Sequence, residues 1–367
     1  MYNFFMKIGV PKEIKNNEFR VGLTPNSIAE IVSFNHEVYV QKDAAKEIGF
    51  SNSDYRNAGA IIVDTAKELY QCSELIVKVK EPIKEEYKYL NEQHTLFAYL
   101  HLAGDIKSGL ELISTGITGI ALETVTADDG TLPLLSPMSA IAGQLSILVG
   151  SYHLLKPNKG MGTLIGAMKD VKPRVVTVIG AGVAGTEAIE KAIDNKAYIK
   201  VIDLSQEKLL ELEEKYGNKN IEYILSNESN ITNALKESDL VIGAVYVPGK
   251  KAPKVVSNDM LKVMKPGAVI VDISIDQGGC LESSRPTTHD NPTYEQDNII
   301  HYCVTNMPGA VPLTATQALN NVTLSYILEI ANKGVEQALK ENKHLANGLN
   351  IYKSKVVHDA VKEAFGV

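Results

Sequence analysis

The chain has no tryptophan, and its 367 residues include only three cysteines, Cys72, Cys280 and Cys303, widely spaced and without a CxxC pair. So sparse a set builds neither a disulfide framework nor a cysteine metal site, and it fits a reducing compartment. Cys280 follows Gly279 in a loop with other functional candidates, yet nothing in the sequence pairs it with a base, so it reads as an inert thiol. Long apolar runs are missing. The nearest, Ile141 to Leu155, is interrupted by Gln144, Ser146, Ser151, Tyr152 and His153, and reads as a packed helix, not a membrane span. The opening Met1-Tyr2-Asn3-Phe4-Phe5-Met6 is short and lacks a basic region, so it is not a secretion signal. An excess of positive charge is also absent. The formal net charge of -7 argues against nucleic acid and anionic membrane surfaces as partners, while leaving room for a single basic pocket that takes a small anion. A cytoplasmic protein acting on small molecules is the expectation.

What is present is enough for substantial cores. Hydrophobic residues make up 44% and charged residues 22%, and the length suggests about two domains. Short strands and helices alternate in the first part: Lys7 to Val10, Val38 to Val40, Ile61 to Val63, Leu75 to Val79, Leu96 to Tyr99 and Gly119 to Leu122 read as strands. Thr24 with Pro25 marks a helix start, for a helix to about Phe34, and Ile106 to Ser114 reads as another helix. Leu132 to Pro137 is a connection, Ser139 to Leu155 a long helix, and Lys156 to Lys172 surface loop. A second alternating unit has strands at Val175 to Ile179, Tyr198 to Ile202, Tyr223 to Leu225, Leu240 to Ala244, Ala268 to Ile273 and His301 to Val304, with a helix capped near Ser257. The segment Thr314 to Val367 reads as mostly helical, its first helix spanning Thr316 to Lys333. The expected fold is α/β: two doubly wound, Rossmann-like domains separated by a cleft and linked by long helices. Residues 1–133 and 312–367 would form the substrate domain and residues 134–311 the dinucleotide domain.

The most specific signal is Val175-Val176-Thr177-Val178-Ile179-Gly180-Ala181-Gly182-Val183-Ala184-Gly185, a β-branched run ending in G-x-G-x-x-G. Gly180 permits the tight strand-to-helix turn, Gly182 lets the backbone approach a pyrophosphate, and Gly185 lets helix and strand pack closely. The helix N-terminus, with Val183 and Ala184, offers N–H groups to phosphates. Asp203, 23 residues beyond Gly180, ends the second strand, where a carboxylate accepts from a ribose 2′-OH and repels a 2′-phosphate; no Arg stands beside it. NAD is therefore favoured over NADP. Lys208 reads either as an adenosine neighbour or as an ordinary helix-surface charge. The crevice rule adds the strand ends Ala244-Val245-Tyr246-Val247-Pro248-Gly249, Ile273-Ser274-Ile275-Asp276-Gln277-Gly278-Gly279 and Thr305-Asn306-Met307-Pro308 as nicotinamide neighbours; Val245 alone reads equally well as core.

Outside that unit, Arg20, Lys78, Lys80 and His101 stand at the ends of strands. Period-2 geometry puts Lys78 and Lys80 on one face. Singly, Arg20 and Lys80 also read as solvated charges and His101 as a satisfied, partly buried histidine. Together they suit a small 2-oxo acid: Arg for the carboxylate, Lys80 as a cationic donor to the carbonyl, and His101 as a proton partner with near-neutral pKa. Asp276 would orient or charge-balance that site.

The chain resembles L-alanine dehydrogenases, in the alanine dehydrogenase/pyridine nucleotide transhydrogenase family, along nearly its full length. The resemblance rests on Pro11-Lys12-Glu13, Asn16-Asn17-Glu18-Phe19-Arg20-Val21, Val77-Lys78-Val79-Lys80-Glu81-Pro82, Leu100-His101-Leu102-Ala103, Glu123-Thr124-Val125 and Leu135-Ser136-Pro137-Met138-Ser139. It continues through the glycine turn, Asp272 to Gly279, Ser284-Arg285-Pro286-Thr287-Thr288 and Asn306 to Pro312. It implies NAD-dependent interconversion of L-alanine with pyruvate and ammonium, in a homohexamer; no metal residue is singled out. By the same resemblance, Arg20 and Lys80 hold the substrate, His101 is the acid/base and Asp276 its partner. Ser139, Asp203, Lys208, Ser226, Val245, Asn306 and Met307 would touch NAD. Ala140, Gln144 and Leu313 depart from residues common in that family, Glu, Arg and a basic residue respectively, and bear on packing between domains or subunits rather than on the reaction. Two other readings share the fold: an NAD-presenting transhydrogenase component, and a dehydrogenase joining lysine to a 2-oxo acid.

Overall fold

A computed structural model describes residues 4–247 and 251–366. Pro248 and Gly249, named above as part of a strand-end loop, lie outside the described residues, as do the first three residues. The chain divides into two compact units: one holds everything up to Met138 and from Gly309 onward, the other Ser139–Pro308. Among the described residues, no helix is long and apolar enough to cross a membrane.

The first unit opens with β1 (Lys7–Val10), β2 (Glu37–Gln41), β3 (Ile61–Val63), β4 (Leu75–Val77), β5 (Thr95–Ala98) and β6 (Thr118–Ala121). They pair in parallel in the order β6-β5-β4-β1-β2-β3. Central strands covered on both faces need continuous apolar runs, and every residue of β4 and β5 is buried. The helix Pro25–Ser33 starts where Thr24 and Pro25 place it: Thr24 Oγ1 accepts from the Ser27 N–H at 3.3 Å. Winding goes outward from β1 to β3 on one side and from β4 to β6 on the other. Between β1 and β4 the direction reverses, and at such a point the loops leaving the carboxyl ends part and leave a crevice.

The second unit contains β7 (Val175–Ile179), β8 (Tyr198–Asp203), β9 (Ile221–Leu225), β10 (Leu240–Gly243), β11 (Val269–Asp272), β12 (Thr293–Gln296) and β13 (Ile299–Tyr302), ordered β12-β13-β11-β10-β7-β8-β9. Its reversal lies between β7 and β10. Strand β12, which the sequence reading passed over, is antiparallel to β13 and mostly half-exposed, so it lacks an apolar pattern. Its turn, Asp297-Asn298, has φ of 53° and 60°, as a two-residue hairpin needs.

One expectation is corrected and another is filled in. The long helix begins at Ser136, not Ser139; Pro137 sits in its first turn, where a missing N–H breaks no helical bond. The last segment is mostly helix, as read, and ends in the helix Asp359–Phe365, but it also holds two strands. After helices Pro312–Lys333, Val335–Glu341 and Lys343–Ala346 come β14 (Leu349–Tyr352) and β15 (Lys355–Val356), and β14 adds antiparallel to β6. The β14–β15 turn is Lys353-Ser354, with φ of 47° and 61°, residues that carry no turn signature.

Candidate functional site

The carboxyl ends of β1, β4, β5 and β6 gather most of the polar residues singled out in the first unit. Arg20, in the loop after β1, is 2% exposed. Its Nε donates to Glu18 Oε1 at 2.7 Å and its Nη2 to Glu18 Oε2 at 2.5 Å, while Nη1 reaches Met138 Sδ at 3.3 Å. Burial works against the guanidinium charge, but Glu18 outweighs it and raises the Arg20 pKa. Lys80, just beyond β4, is buried, and its N–H donates to Glu13 Oε1 at 3.4 Å.

Lys78 has a different environment from the one its spacing suggested. Paired strand ends at Val77, and the Lys78 ammonium lies fully buried between Glu13 Oε2 and Glu86 Oε1, each at 2.9 Å. Glu13 Oε1 also accepts from the Val79 N–H at 2.7 Å, and Tyr70 donates to Glu86 at 2.9 Å. Burial opposes the Lys78 charge, yet Glu13 and then Glu86 raise its pKa. The triad pins the backbone that presents Lys80. Lys78→Met leaves two buried carboxylates without their cation, and unfolding free energy is expected to fall by about 3–5 kcal/mol, read by denaturant titration.

His101 follows β5, half-buried, its ring stacked on Tyr99 with centroids 5.8 Å apart and planes 13° apart. Tyr99 donates to Leu134 O at 2.6 Å; burial pushes its pKa up, opposed by Arg20. His101 has φ 44°, which few residues other than glycine adopt. Two carboxylates near it carried no role in the sequence reading. Glu81 pairs with Lys15, and its Oε2 is buried without a hydrogen-bond partner. Burial pushes the Glu81 carboxyl up, but Lys80, His101 and Lys15 outweigh it and hold it below the usual range. Glu123 accepts from the Leu100 N–H and the His101 N–H. Both carboxylates were visible inside quoted motifs, but only the fold shows which groups they face.

In the second unit the glycine turn has a shape that suits a dinucleotide. Gly180 has φ 97°, and a Cβ there would lie 2.5 Å from Ala244 O. A Cβ on Gly185 would lie 1.8 Å from Gly180 O, whereas Gly182 is exposed with nothing within 4 Å. The turn is therefore closed toward the protein and open where a pyrophosphate would approach. Val183, 44% exposed, opens the helix Val183–Asp194, followed by the half-buried Ala184. Asp203 Oδ2 accepts from the Ala181 N–H at 2.7 Å and Oδ1 from the Ser205 N–H at 2.8 Å, so this carboxylate already ties the glycine turn to the end of β8. Ser226, half-buried after β9, donates its N–H to Asp203 O at 2.8 Å. Lys208 is held by Glu211 at 3.1 Å on the surface of its helix.

The remaining strand-end residues form a braced rim at the carboxyl ends of β10, β11 and β13. Val245 is half-buried and Tyr246 44% exposed. Val245 O accepts from Ser274 Oγ at 2.7 Å. Ile273 opens the turn Ile273–Gln277 that carries Asp276, whose Oδ1 accepts from the Asn306 N–H at 3.1 Å; Met307 is buried beside it in sequence. Behind this turn, buried Asp272 accepts from Ser274 N at 3.0 Å, Cys280 N at 2.9 Å and Ser284 Oγ at 2.5 Å. Lys254 Nζ donates to the carbonyls of Gly278, Gly279 and Leu281 at 2.6, 2.9 and 2.8 Å. Nothing in the sequence distinguishes Lys254 from a surface lysine. Cys280 is buried, and burial and then Asp272 push its thiol well above the ordinary range. Ser139, half-buried in the helix Ser136–His153, is the first residue of this unit.

The chain is similar to known proteins along nearly its full length. A family model described as alanine dehydrogenase/PNT, N-terminal domain, matches residues 9–142, and one described as alanine dehydrogenase/PNT, C-terminal domain, matches residues 146–359. An alanine dehydrogenase of Staphylococcus haemolyticus is 50% identical over 363 residues, 99% of this chain and 97% of that protein. A solved L-alanine dehydrogenase is similar at TM-score 0.93 and 46% identity, covering 98% of this chain and 99% of that one. A transhydrogenase structure from Sinorhizobium meliloti, at TM-score 0.80 and 21% identity over 96% of this chain and 99% of that one, shares the fold.

Proposed function

The chain belongs to the alanine dehydrogenase/PNT family, and from that premise we propose that it is an NAD-dependent L-alanine dehydrogenase, interconverting L-alanine with pyruvate and ammonium. The observation that carries the substrate half is the convergence of Arg20, Lys80 and His101 on the carboxyl ends of β1, β4 and β5. A nucleotide-presenting module has no use for such a set.

NAD, when bound, supplies the hydride acceptor. Gly180, Gly182, Val183, Ala184 and Gly185 would hold its pyrophosphate and Asp203 its ribose, with Ser139, Lys208, Ser226, Val245, Tyr246, Ile273, Asp276, Asn306 and Met307 as further contacts. Glu18 takes the Nε–Nη2 edge of Arg20, and Arg20 is the cation proposed to meet the substrate carboxylate. With the amino group deprotonated, loss of hydride from the α-carbon leaves an iminium. Water adds to it as His101 takes a proton from the water; His101 then gives that proton to the amino nitrogen and takes the hydroxyl proton from the carbinolamine oxygen as the C–N bond breaks, and the departing ammonia is protonated to ammonium. Lys80 Nζ stabilises the charge growing on that oxygen, a term worth several kcal/mol in dry sites. Asp276 is the further catalytic residue in this reading, as the partner of His101. The assembly inferred from the family is a homohexamer in the cytoplasm, which sedimentation and fractionation test.

The decisive assay follows NAD reduction with L-alanine alone, beside glycine and serine, and NADH oxidation with lysine plus 2-oxoglutarate, the direction in which a secondary amine forms. Alanine-dependent NAD reduction supports the reading; NADH oxidation with lysine and 2-oxoglutarate only, or no turnover with any substrate, overturns it. Coenzyme choice has its own test. Asp203→Ala is expected to raise the KM for NAD by about tenfold or more while narrowing the preference over NADP, because the hydrogen-bonding and repelling carboxylate is gone. Steady-state kinetics with both coenzymes read this.

A further inference from the structure

We propose that Glu123 is a positioning residue for His101: its carboxylate clamps the main chain at Leu100 and His101 and so holds the imidazole where it lies against Tyr99. The proposal rests on the reading of His101 as the acid/base.

The geometry starts from strand register. Strands β5 and β6 are parallel, with Ala98 opposite Ala121, so the residues just past each strand emerge level with one another. The Leu122–Thr124 turn follows β6 directly, and Asn350 Nδ2 braces it by donating to Thr124 Oγ1 at 2.7 Å. On the neighbouring strand, the Tyr99 N–H still finds Val79 O at 3.1 Å. The next two N–H groups turn to Glu123. Leu100 N donates to both carboxylate oxygens at 3.2 Å, and His101 N donates to Oε1 at 2.6 Å. Successive N–H groups converging on one anion form a nest, and the conformation that makes one includes a left-handed residue. Here that residue is His101, at φ 44°, with Gly104 N returning to His101 O at 2.9 Å to close the following turn. Such a backbone conformation in a non-glycine residue persists when its surroundings over-determine it. Glu123 supplies that constraint, and with it the direction in which the side chain leaves the backbone and stacks on Tyr99, 13° from coplanar.

The test is a double-mutant cycle on the full-length enzyme, with alanine, pyruvate, ammonium and NADH as substrates. Glu123→Ala is expected to lower kcat about tenfold in both directions while the KM for NADH stays within about twofold. Glu123→Gln, which keeps an acceptor oxygen, is expected to stay within about threefold of the parent kcat. His101→Ala/Glu123→Ala is expected to be no more than about twofold slower than His101→Ala alone, because a residue that acts only through another adds nothing once that other is gone. Should Glu123→Ala fold poorly, Glu123→Ser and His101→Ala/Glu123→Ser, whose short side chain also withdraws the acceptor from the backbone, carry the same comparison. Full multiplication of the two defects, or unchanged kcat in Glu123→Ala, overturns the proposal. Near-native turnover in His101→Ala would instead remove the acid/base reading beneath it, so the two failures are told apart.

Discussion

His101→Ala is expected to lower turnover by ~100-fold or more in both directions while NADH binding is unchanged. The reaction needs one group that takes a proton from attacking water and returns protons as the amine leaves. An imidazole changes charge within the range in which such an enzyme works. Two contacts bear on His101: Tyr99 lies against its ring and Glu123 accepts from its backbone N–H. Both belong to the first unit, whereas the glycine turn belongs to the second, so coenzyme binding is expected to survive. Fluorescence titration with NADH beside steady-state kinetics reads both quantities. Near-native turnover across the pH range would remove His101 from the mechanism.

Gly185→Ala is expected to be the most damaging single methyl group in the second unit. The added Cβ would meet Gly180 O at 1.8 Å, and that carbonyl is backbone. Helix Val183–Asp194 must then shift away from β7, and the glycine turn moves with it. Overpacking of this kind costs typically about 1–3 kcal/mol, and coenzyme affinity is expected to fall with it. Gly182→Ala is the contrast. Nothing lies within 4 Å of its Cβ position, so folding stability is expected to stay within about 0.5 kcal/mol while NADH affinity falls, because the methyl stands where the pyrophosphate would approach. Thermal unfolding and NADH titration of both variants separate the two roles. If Gly182→Ala binds NADH as the parent does, the turn does not cradle a pyrophosphate.

The strands were most legible where chemistry allowed one reading. Strand β7 and helix Val183–Asp194 announced themselves, because a β-branched run, a glycine turn and a helix pattern agreed over a short stretch. Strands β12, β14 and β15 did not. The first is edge strand with little buried surface, and the hairpin of the other two turns on Lys353-Ser354, where backbone conformation rather than residue type marks the turn. The extent of helix Ser136–His153 was misjudged for a related reason: Pro137 signals a break in a helix interior but is harmless in a first turn.

By itself the sequence determined the alternating α/β plan, the dinucleotide turn and the candidates Arg20, Lys80, His101 and Asp203, since each follows from local pattern or from a motif whose residues are close along the chain. The tertiary structure alone decided which charges are answered and by what. Lys78 and Lys80 look equivalent in sequence, yet one is locked between Glu13 and Glu86. Glu123 and Lys254 look ordinary, yet one grips the His101 backbone and the other three carbonyls behind Asp276. The reason is physical: whether a charge is solvated, paired or used depends on burial and on partners far away in the chain, and parallel-strand register brings those partners to the same sheet edge.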